Sequence, residues 1–327
     1  NMNRTFKSNL CLLGTALIWG FALVAQRDSM SVMGPFMYNA IRMFLGSAAL
    51  VPVFIISDRI KRRSSEADKA LEQTKAAGRT LLKGGIIAGV VIFLSMNLQQ
   101  VALVSTDAGK TAFITALYIV LVPILGIFLK HRTNINNWIG AGIGAAGLFF
   151  LCVKSDFTVA TGDILLLAGS LGWAVHIFII DYFAPKVNAA KLISVQFFIA
   201  GLLSLTVALI TETNTIEAVI LSIPSLLYTG IMSSGIGYTL QTVGQKYAKP
   251  TTASIILSTE SLFGALAGFV FLNEVMSGRE FLGCGLMMTA IIIAQLPARK
   301  KTDGAGGGFE VKYIVKFTQV ISEKRKL

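Results

Sequence analysis

An all-α integral membrane protein of ten transmembrane helices, arranged as two inverted five-helix repeats with both termini cytoplasmic, is the fold class the sequence predicts. Three observations predict it. Of 327 residues, 54% are hydrophobic and only 14% charged, whereas a soluble globular domain carries about 25% charged residues. The apolar residues gather into ten windows of spanning length. The last five windows repeat the first five. The same composition excludes a water-soluble enzyme and a disordered chain.

A membrane-spanning helix needs about 20 mostly apolar residues. Ten segments qualify, at about 9–26, 35–57, 81–104, 107–129, 135–153, 162–182, 190–210, 221–245, 251–272 and 278–297. The separators are short and hold the helix breakers: Gly34-Pro35 before segment 2, Asn134 to Asn137 before segment 5, Gly162-Asp163 opening segment 6 and Lys249-Pro250 before segment 9. Segment 1 follows Arg4 and Lys7 as a secretory signal would, but no A-x-A site closes it and nine segments follow, so it reads as a retained first helix. The organisation is thus a tail 1–8, a first repeat 9–153, a second repeat 162–297 and a basic tail 298–327. Within that last stretch, Thr302 to Gly308 is a glycine-rich linker. Phe309, Val311, Tyr313, Val315 and Phe317 then alternate like a strand, while Lys312, Lys316 and the final basic run equally suit a helix lying on anionic lipid. Cys11, Cys152 and Cys284 stand alone in apolar runs and read as packing residues.

Orientation follows from Lys and Arg. With the N-terminus inside, 24 of the 29 basic residues fall on inside segments, against Arg27, Lys110, Lys154 and Arg279 outside and Arg42 within segment 2. The net charge of +12 is therefore a topology signal, and nucleic-acid binding is not needed to explain it. Such an oriented multi-pass chain is expected in a plasma membrane of the bacterial inner-membrane type.

The repeat is visible residue by residue. At an offset of 154, Leu13 to Gln26 falls on Leu167 to Ile180, placing Trp19 on Trp173. At an offset of 143, the run from Ser105 falls on the run from Ala248, and Trp138 to Gly142 falls on Phe281 to Gly285. Five helices is an odd number, so the second unit enters the membrane inverted. Inverted repeats are typical of secondary transporters whose site lies near the midplane between the halves.

Several motifs resemble one known family. Ile18-Trp19-Gly20-Phe21, Gly34-Pro35 leading to Arg42, Gln241-Thr242-Val243-Gly244-Gln245, Thr252 to Glu260 and Leu272-Asn273-Glu274 look like the EamA branch of the drug/metabolite transporter superfamily, over about residues 10–297. The resemblance implies ten helices in two inverted halves, with helices 5 and 10 peripheral and the others around a central cavity through which small metabolites are exported or exchanged. Two departures stand out. Lys130-His131 replaces the Glu usual at the end of helix 4, and Ser261 stands where a Pro commonly follows the Glu.

Candidate site residues come from helical faces. Thr111, Thr115 and Tyr118 form a stripe on segment 4, and the 143 offset maps them onto Ser254, Ser258 and Ser261 on segment 9. Segment 8 adds Ser234, Tyr238, Gln241 and Gln245 on one face, and segment 3 adds Asn97 with Gln100. Glutamines and a tyrosine could grip amide, amino or carboxylate groups of a substrate, or simply bond neighbouring helices. Trp19 shares a face with Thr15 and Gln26, and Trp173 one with His176; both indoles lie mid-segment, where they could cover an apolar moiety.

Charges inside apolar windows cost roughly 2.5 to 3.5 kcal/mol at the bilayer centre and are candidates for function. Lys110 follows Asp107 by three and could form a local ion pair. Arg42 could bind a substrate carboxylate, pair internally or snorkel. Glu260 is the candidate proton-coupling group, although a continuous helix would point it about 120° away from the Ser254 stripe. Gly140-x-x-x-Gly144 would allow close helix approach, within the chain or in a homodimer.

Other chemistries lack their residues. Gly109-Lys110-Thr111 is not a phosphate loop, because Val104 stands where the pattern needs Gly. His131 and His176 lie on different segments with no HExxH, and there is no GxSxG. No cofactor or metal is expected. The sequence thus reads as a secondary transporter of a small polar metabolite, an amino acid or related compound, working by alternating access around a site lined by helices 1, 3, 4, 6, 8 and 9, with export the expected direction. The alternatives are a phosphate-bearing or nucleotide-sugar exchanger, which would need more cavity-facing Lys and Arg, and a non-transporting scramblase-like or structural protein.

Overall fold

A computed structural model describes residues 2–62, 70–106, 108–131, 133–153, 161–271 and 276–296, all in helices or the short connections between them. Segments 1 to 3 become α1 (Met2–Ser29), α2 (Pro35–Arg62) and α3 (Ala70–Leu103). Residues 2–8 belong to the first helix rather than to a separate tail. Segment 4 is split into α4 (Ala108–Ala116) and α5 (Tyr118–Phe128), and segment 5 is α6 (Ile135–Cys152). Segments 6 and 7 are α7 (Thr161–Phe183) and α8 (Ala189–Thr211). Segment 8 runs through α9 (Ile216–Leu227), a π-helical stretch (Tyr228–Gly237) and α10 (Tyr238–Gln245). Segment 9 is broken into α11 (Pro250–Leu257) and α12 (Glu260–Phe271), and segment 10 is α13 (Gly278–Gln295). Seven stretches are long and apolar enough to cross a membrane by length and composition; segments 1, 9 and 10 are helical as well. Asp107, Leu272-Asn273-Glu274 and the tail after Arg299 lie outside the described residues.

The break in segment 9 has a local cause. Ser254, Ser258 and Thr259 each donate their hydroxyl to a carbonyl three residues back, on Thr251, Ile255 and Ile256, at 2.8, 2.8 and 2.6 Å. Such back-bonding competes with the helical ladder. The backbone follows: Thr259 N reaches Ile256 O and Ser261 N reaches Ser258 O, at 3.2 and 3.3 Å, both three residues back. Leu117 N makes the same short bond to Ile114 O in segment 4, 3.2 Å. Under the 143 offset Leu117 maps onto Glu260, one position beyond Thr259, so the breaks occupy equivalent places in the two repeats.

The antiparallel pair α2 and α8 is held at both ends. Glu212, just past α8, accepts from Phe36 N and Met37 N at 2.8 and 2.9 Å, and Asn214 Oδ1 accepts from Gly34 N at 2.9 Å. These are the orphan N–H groups and the positive end of the α2 dipole. At the other end Asp58 of α2 pairs with Lys191 in the first turn of α8. The offset of 154 that aligns Trp19 with Trp173 also maps Asp58 onto Glu212 and Met37 onto Lys191. Midway, Ser47 Oγ donates to Ser194 O and Ser194 Oγ to Ser47 O, at 2.8 and 3.1 Å. Glu212→Ala removes the α2 cap, which is worth about 0.5–2 kcal/mol. Thermal unfolding in detergent is expected to show a lower Tm for Glu212→Ala than for Glu212→Gln, whose amide oxygen still accepts; equal melting of the two and the parent would contradict the cap.

The glycine stripe of α6 is occupied within the chain. A Cβ on Gly140 would meet Ala290 and Ala294 of α13, and one on Gly147 would meet Met287 and the Gly283 carbonyl of α13. Gly144 faces Ile119 of α5. The two helices that end the repeats therefore pack on each other.

Candidate functional site

A central cavity of about 40 Å³ lies among α1, α2, α3, α4, α5, α7, the π stretch, α10 and α12. No residue of α6 or α13 is in its lining. One wall is aromatic and drawn from both halves. The Trp19 ring lies 4.6 Å from Tyr238 and 6.3 Å from Trp173, with Trp173 and Tyr238 6.0 Å apart, centroid to centroid. Phe197 of α8 backs Tyr238 edge-on at 4.9 Å. Side chains of α1 fix this wall to the π stretch: Trp19 Nε1 donates to Ser233 O at 3.3 Å and Thr15 Oγ1 to Gly237 O at 3.0 Å. Buried indole N–H and hydroxyl groups need such acceptors.

The polar part of the lining starts at the two helix breaks. Tyr118 is the first residue of α5 and Glu260 the first of α12, and Tyr118 Oη donates to Glu260 Oε1 at 3.3 Å. Glu260 lines the cavity, whereas Ser254 and Ser258 of the preceding helical stretch do not. Gly20 lets α1 cross α12 backbone to backbone here; a Cβ on it would lie 2.7 Å from both the Glu260 carbonyl oxygen and the Gly264 nitrogen. Gln99 Nε2 donates to Thr115 Oγ1 at 3.1 Å. Arg42, 2% exposed, completes the lining from α2.

The structure thus brings Trp19, Arg42, Thr115, Tyr118, Trp173, Tyr238 and Glu260 together around one space. The remaining sequence candidates are placed elsewhere. His176 sits behind the aromatic wall, with its ring 5.9 Å from Tyr238 and its Nε2 2.9 Å from Gln196 Oε1. Asn97 donates to Ser204 Oγ at 2.8 Å and accepts from Asn39 at 3.0 Å, tying α3 to α8 and α2. Gln241 donates to Gln245 at 2.8 Å, and Gln245 donates to the Ile177 carbonyl at 3.0 Å, tying α10 to α7. Ser254 and Ser258 spend their hydroxyls on the break in segment 9, and Thr111 is buried beside the cavity's α4 wall without being in its lining. Lys110 pairs with Asp163 of α7 at 2.7 Å, and its expected partner Asp107 lies outside the described residues.

Gln26, Met96, Gln99 and Ser233 also line the cavity and were not singled out by sequence as site residues. Gln26 had a signal, its shared face with Trp19. Gln99 had none, because adjacent positions on a helix differ by about 100° and the absolute rotation of α3 comes from its partners.

The sequence pattern of the EamA-like transporter family matches residues 6–153 and again residues 160–295. An "Uncharacterized transporter" of Archaeoglobus fulgidus is 28% identical over 290 residues, covering 88% of this chain and 86% of its own. "Uncharacterized transporter YoaV" of Bacillus subtilis is 22% identical over 301 residues, 88% of this chain and 98% of its own. A solved crystal structure shares the fold with a TM-score of 0.72 at 18% identity, over 89% of this chain and 97% of that one.

Proposed function

The chain belongs to the EamA-like transporter family, as a multi-pass membrane transporter and not an enzyme, and we propose that it is a secondary transporter exporting a small polar metabolite, an amino acid or related compound, by alternating access. The single observation that carries the reading is the central cavity, whose wall takes Trp19, Arg42 and Tyr118 from one half and Trp173, Tyr238 and Glu260 from the other. A site shared by two repeats at paired helix breaks is the arrangement expected of an inverted-repeat transporter. Ten spans with the second five inverted, both termini in the cytoplasm and a bacterial-type plasma membrane complete the proposal, supported by the asymmetry of Lys and Arg. Glu260 is the proposed proton-coupling group. A phosphate-bearing substrate is disfavoured because a carboxylate shares the lining with Arg42, while Lys110 is paired with Asp163.

The test is counterflow in proteoliposomes loaded with one unlabelled amino acid or metabolite at a time, with and without a pH gradient. Substrate-dependent exchange is the expected result. Its absence across the panel, from protein that is monodisperse before reconstitution, would sink the transporter reading of this cavity.

The α2 and α8 pair is clasped on both faces at once, which an alternating gate at that interface would not be. The pair is proposed to move as one body while other helices open and close the cavity. Cysteines at Met37 with Glu212, or at Asp58 with Lys191, in a background lacking Cys11, Cys152 and Cys284, are expected to tolerate bridging by a short thiol cross-linker with most counterflow retained. Loss of exchange on bridging either end would overturn the rigid pair.

A further inference from the structure

We infer that Arg42 anchors the carboxylate of the transported molecule and Glu260 its cationic group, so that the cavity selects a dipolar, net-neutral substrate. This rests on the transporter reading above and specifies the ligand of the same site. Arg42 is 2% exposed, yet its Nε and Nη1 have no hydrogen-bond acceptor and its guanidinium no acidic partner among the described residues. A buried guanidinium in a membrane helix is ordinarily paired, because an uncompensated charge there is costly. Here the paired state is supplied by what enters the cavity. The planar fork of N–H donors matches a carboxylate bidentately.

The opposite charge is built into the same lining. Glu260, 8% exposed, faces the cavity beside Tyr118. A phosphate dianion would meet one guanidinium and be repelled by one carboxylate. A simple amine would leave Arg42 unpaired, and a simple carboxylic acid would leave Glu260 without a counter-charge. A molecule carrying both groups satisfies both ends. In the same lining, the unpartnered Trp173 Nε1 and Gln26 Oε1 offer one further donor and one acceptor. The Trp19, Trp173 and Tyr238 rings give an apolar part of the substrate a surface to lie on.

Counterflow of leucine and of phenylalanine is compared with that of their methyl esters, their decarboxylated amines and their deaminated acids, in wild type, Arg42→Gln and Arg42→Lys. Wild type is expected to exchange the free amino acids at least about tenfold faster than any analogue lacking one charge. Arg42→Gln is expected to lose that preference for the free acid over the ester, and Arg42→Lys to recover it in part. Should a variant fail to fold, thermal unfolding of wild type in detergent reads binding directly: a Tm rise with the free amino acid and none with its ester is expected. Equal exchange or equal Tm shifts for free acid and ester overturn the Arg42 assignment alone. No exchange and no shift with any compound overturns it together with the transporter reading.

Discussion

Glu260→Gln is expected to abolish the part of transport that a pH gradient drives, by about tenfold or more, and, because the same carboxylate is proposed to hold the substrate's cationic group, to slow counterflow at symmetric pH as well. The substitution is nearly isosteric. The Gln carbonyl oxygen can still accept from Tyr118 Oη, which lies 3.3 Å from Glu260 Oε1, so the wall and the helix break keep their shape. What is removed is the capacity to take up and release a proton from a group that is 8% exposed and faces the transport cavity. A proton loaded there changes the charge of the cavity, and with it the preference for substrate in the two access states. Tyr118→Phe is the companion variant. It deletes the hydrogen bond but not the titrating group, and gradient-driven flux is expected to persist at a reduced rate. Gradient-driven flux in Glu260→Gln equal to the parent would remove Glu260 from coupling, and wild-type flux indifferent to the gradient would remove coupling itself.

Much of this architecture can be read in one sequence because the bilayer imposes length on every segment. The ten windows follow from that, and the 154 offset places Trp19 and Trp173 at equivalent positions, with rings that the structure puts 6.3 Å apart. The helix breaks were not legible. A hydropathy window is blind to hydroxyls that bond backwards, so Ser254 and Ser258 looked like a polar face, whereas they shape the chain ahead of Glu260. Polar residues in apolar helices announce that a partner exists without saying whether it is a substrate or another side chain. Asn97, His176, Gln241 and Gln245 each have a protein partner in the structure. Glu212 lay beyond any apolar window, and its bond to the start of α2 spans more than 170 residues of chain. Such contacts belong to tertiary structure, and the repeat offset alone points to them.

Gly20→Val is expected to reduce counterflow by about tenfold or more, because a displacement on the order of 1 Å at a binding site is enough to cost that much. At Gly20 the backbones of α1 and α12 touch: an added Cβ would lie 2.7 Å from the Glu260 carbonyl oxygen and the Gly264 nitrogen, and 2.8 Å from Phe263 Cβ. Two of those three atoms are backbone, which has no rotamer to yield. Carbon needs about 3.5–4 Å to a non-bonded neighbour, so α1 must move off α12 by about an ångström. The next residue back is Trp19, whose ring sits 4.6 Å from Tyr238 and whose N–H is held by Ser233. Shifting α1 therefore pulls one side of the aromatic wall away from the other and separates Glu260 from the helix it faces. Gly20→Ala makes a smaller step in the same direction and is expected to fall between parent and Val. Gly142→Ala is the control, since a Cβ on Gly142 meets nothing within 4 Å. It keeps a helix position helical and is expected to leave exchange unchanged. If all three variants are monodisperse and Gly20→Val still exchanges substrate as fast as Gly142→Ala, the close crossing of α1 and α12 has no part in forming the site.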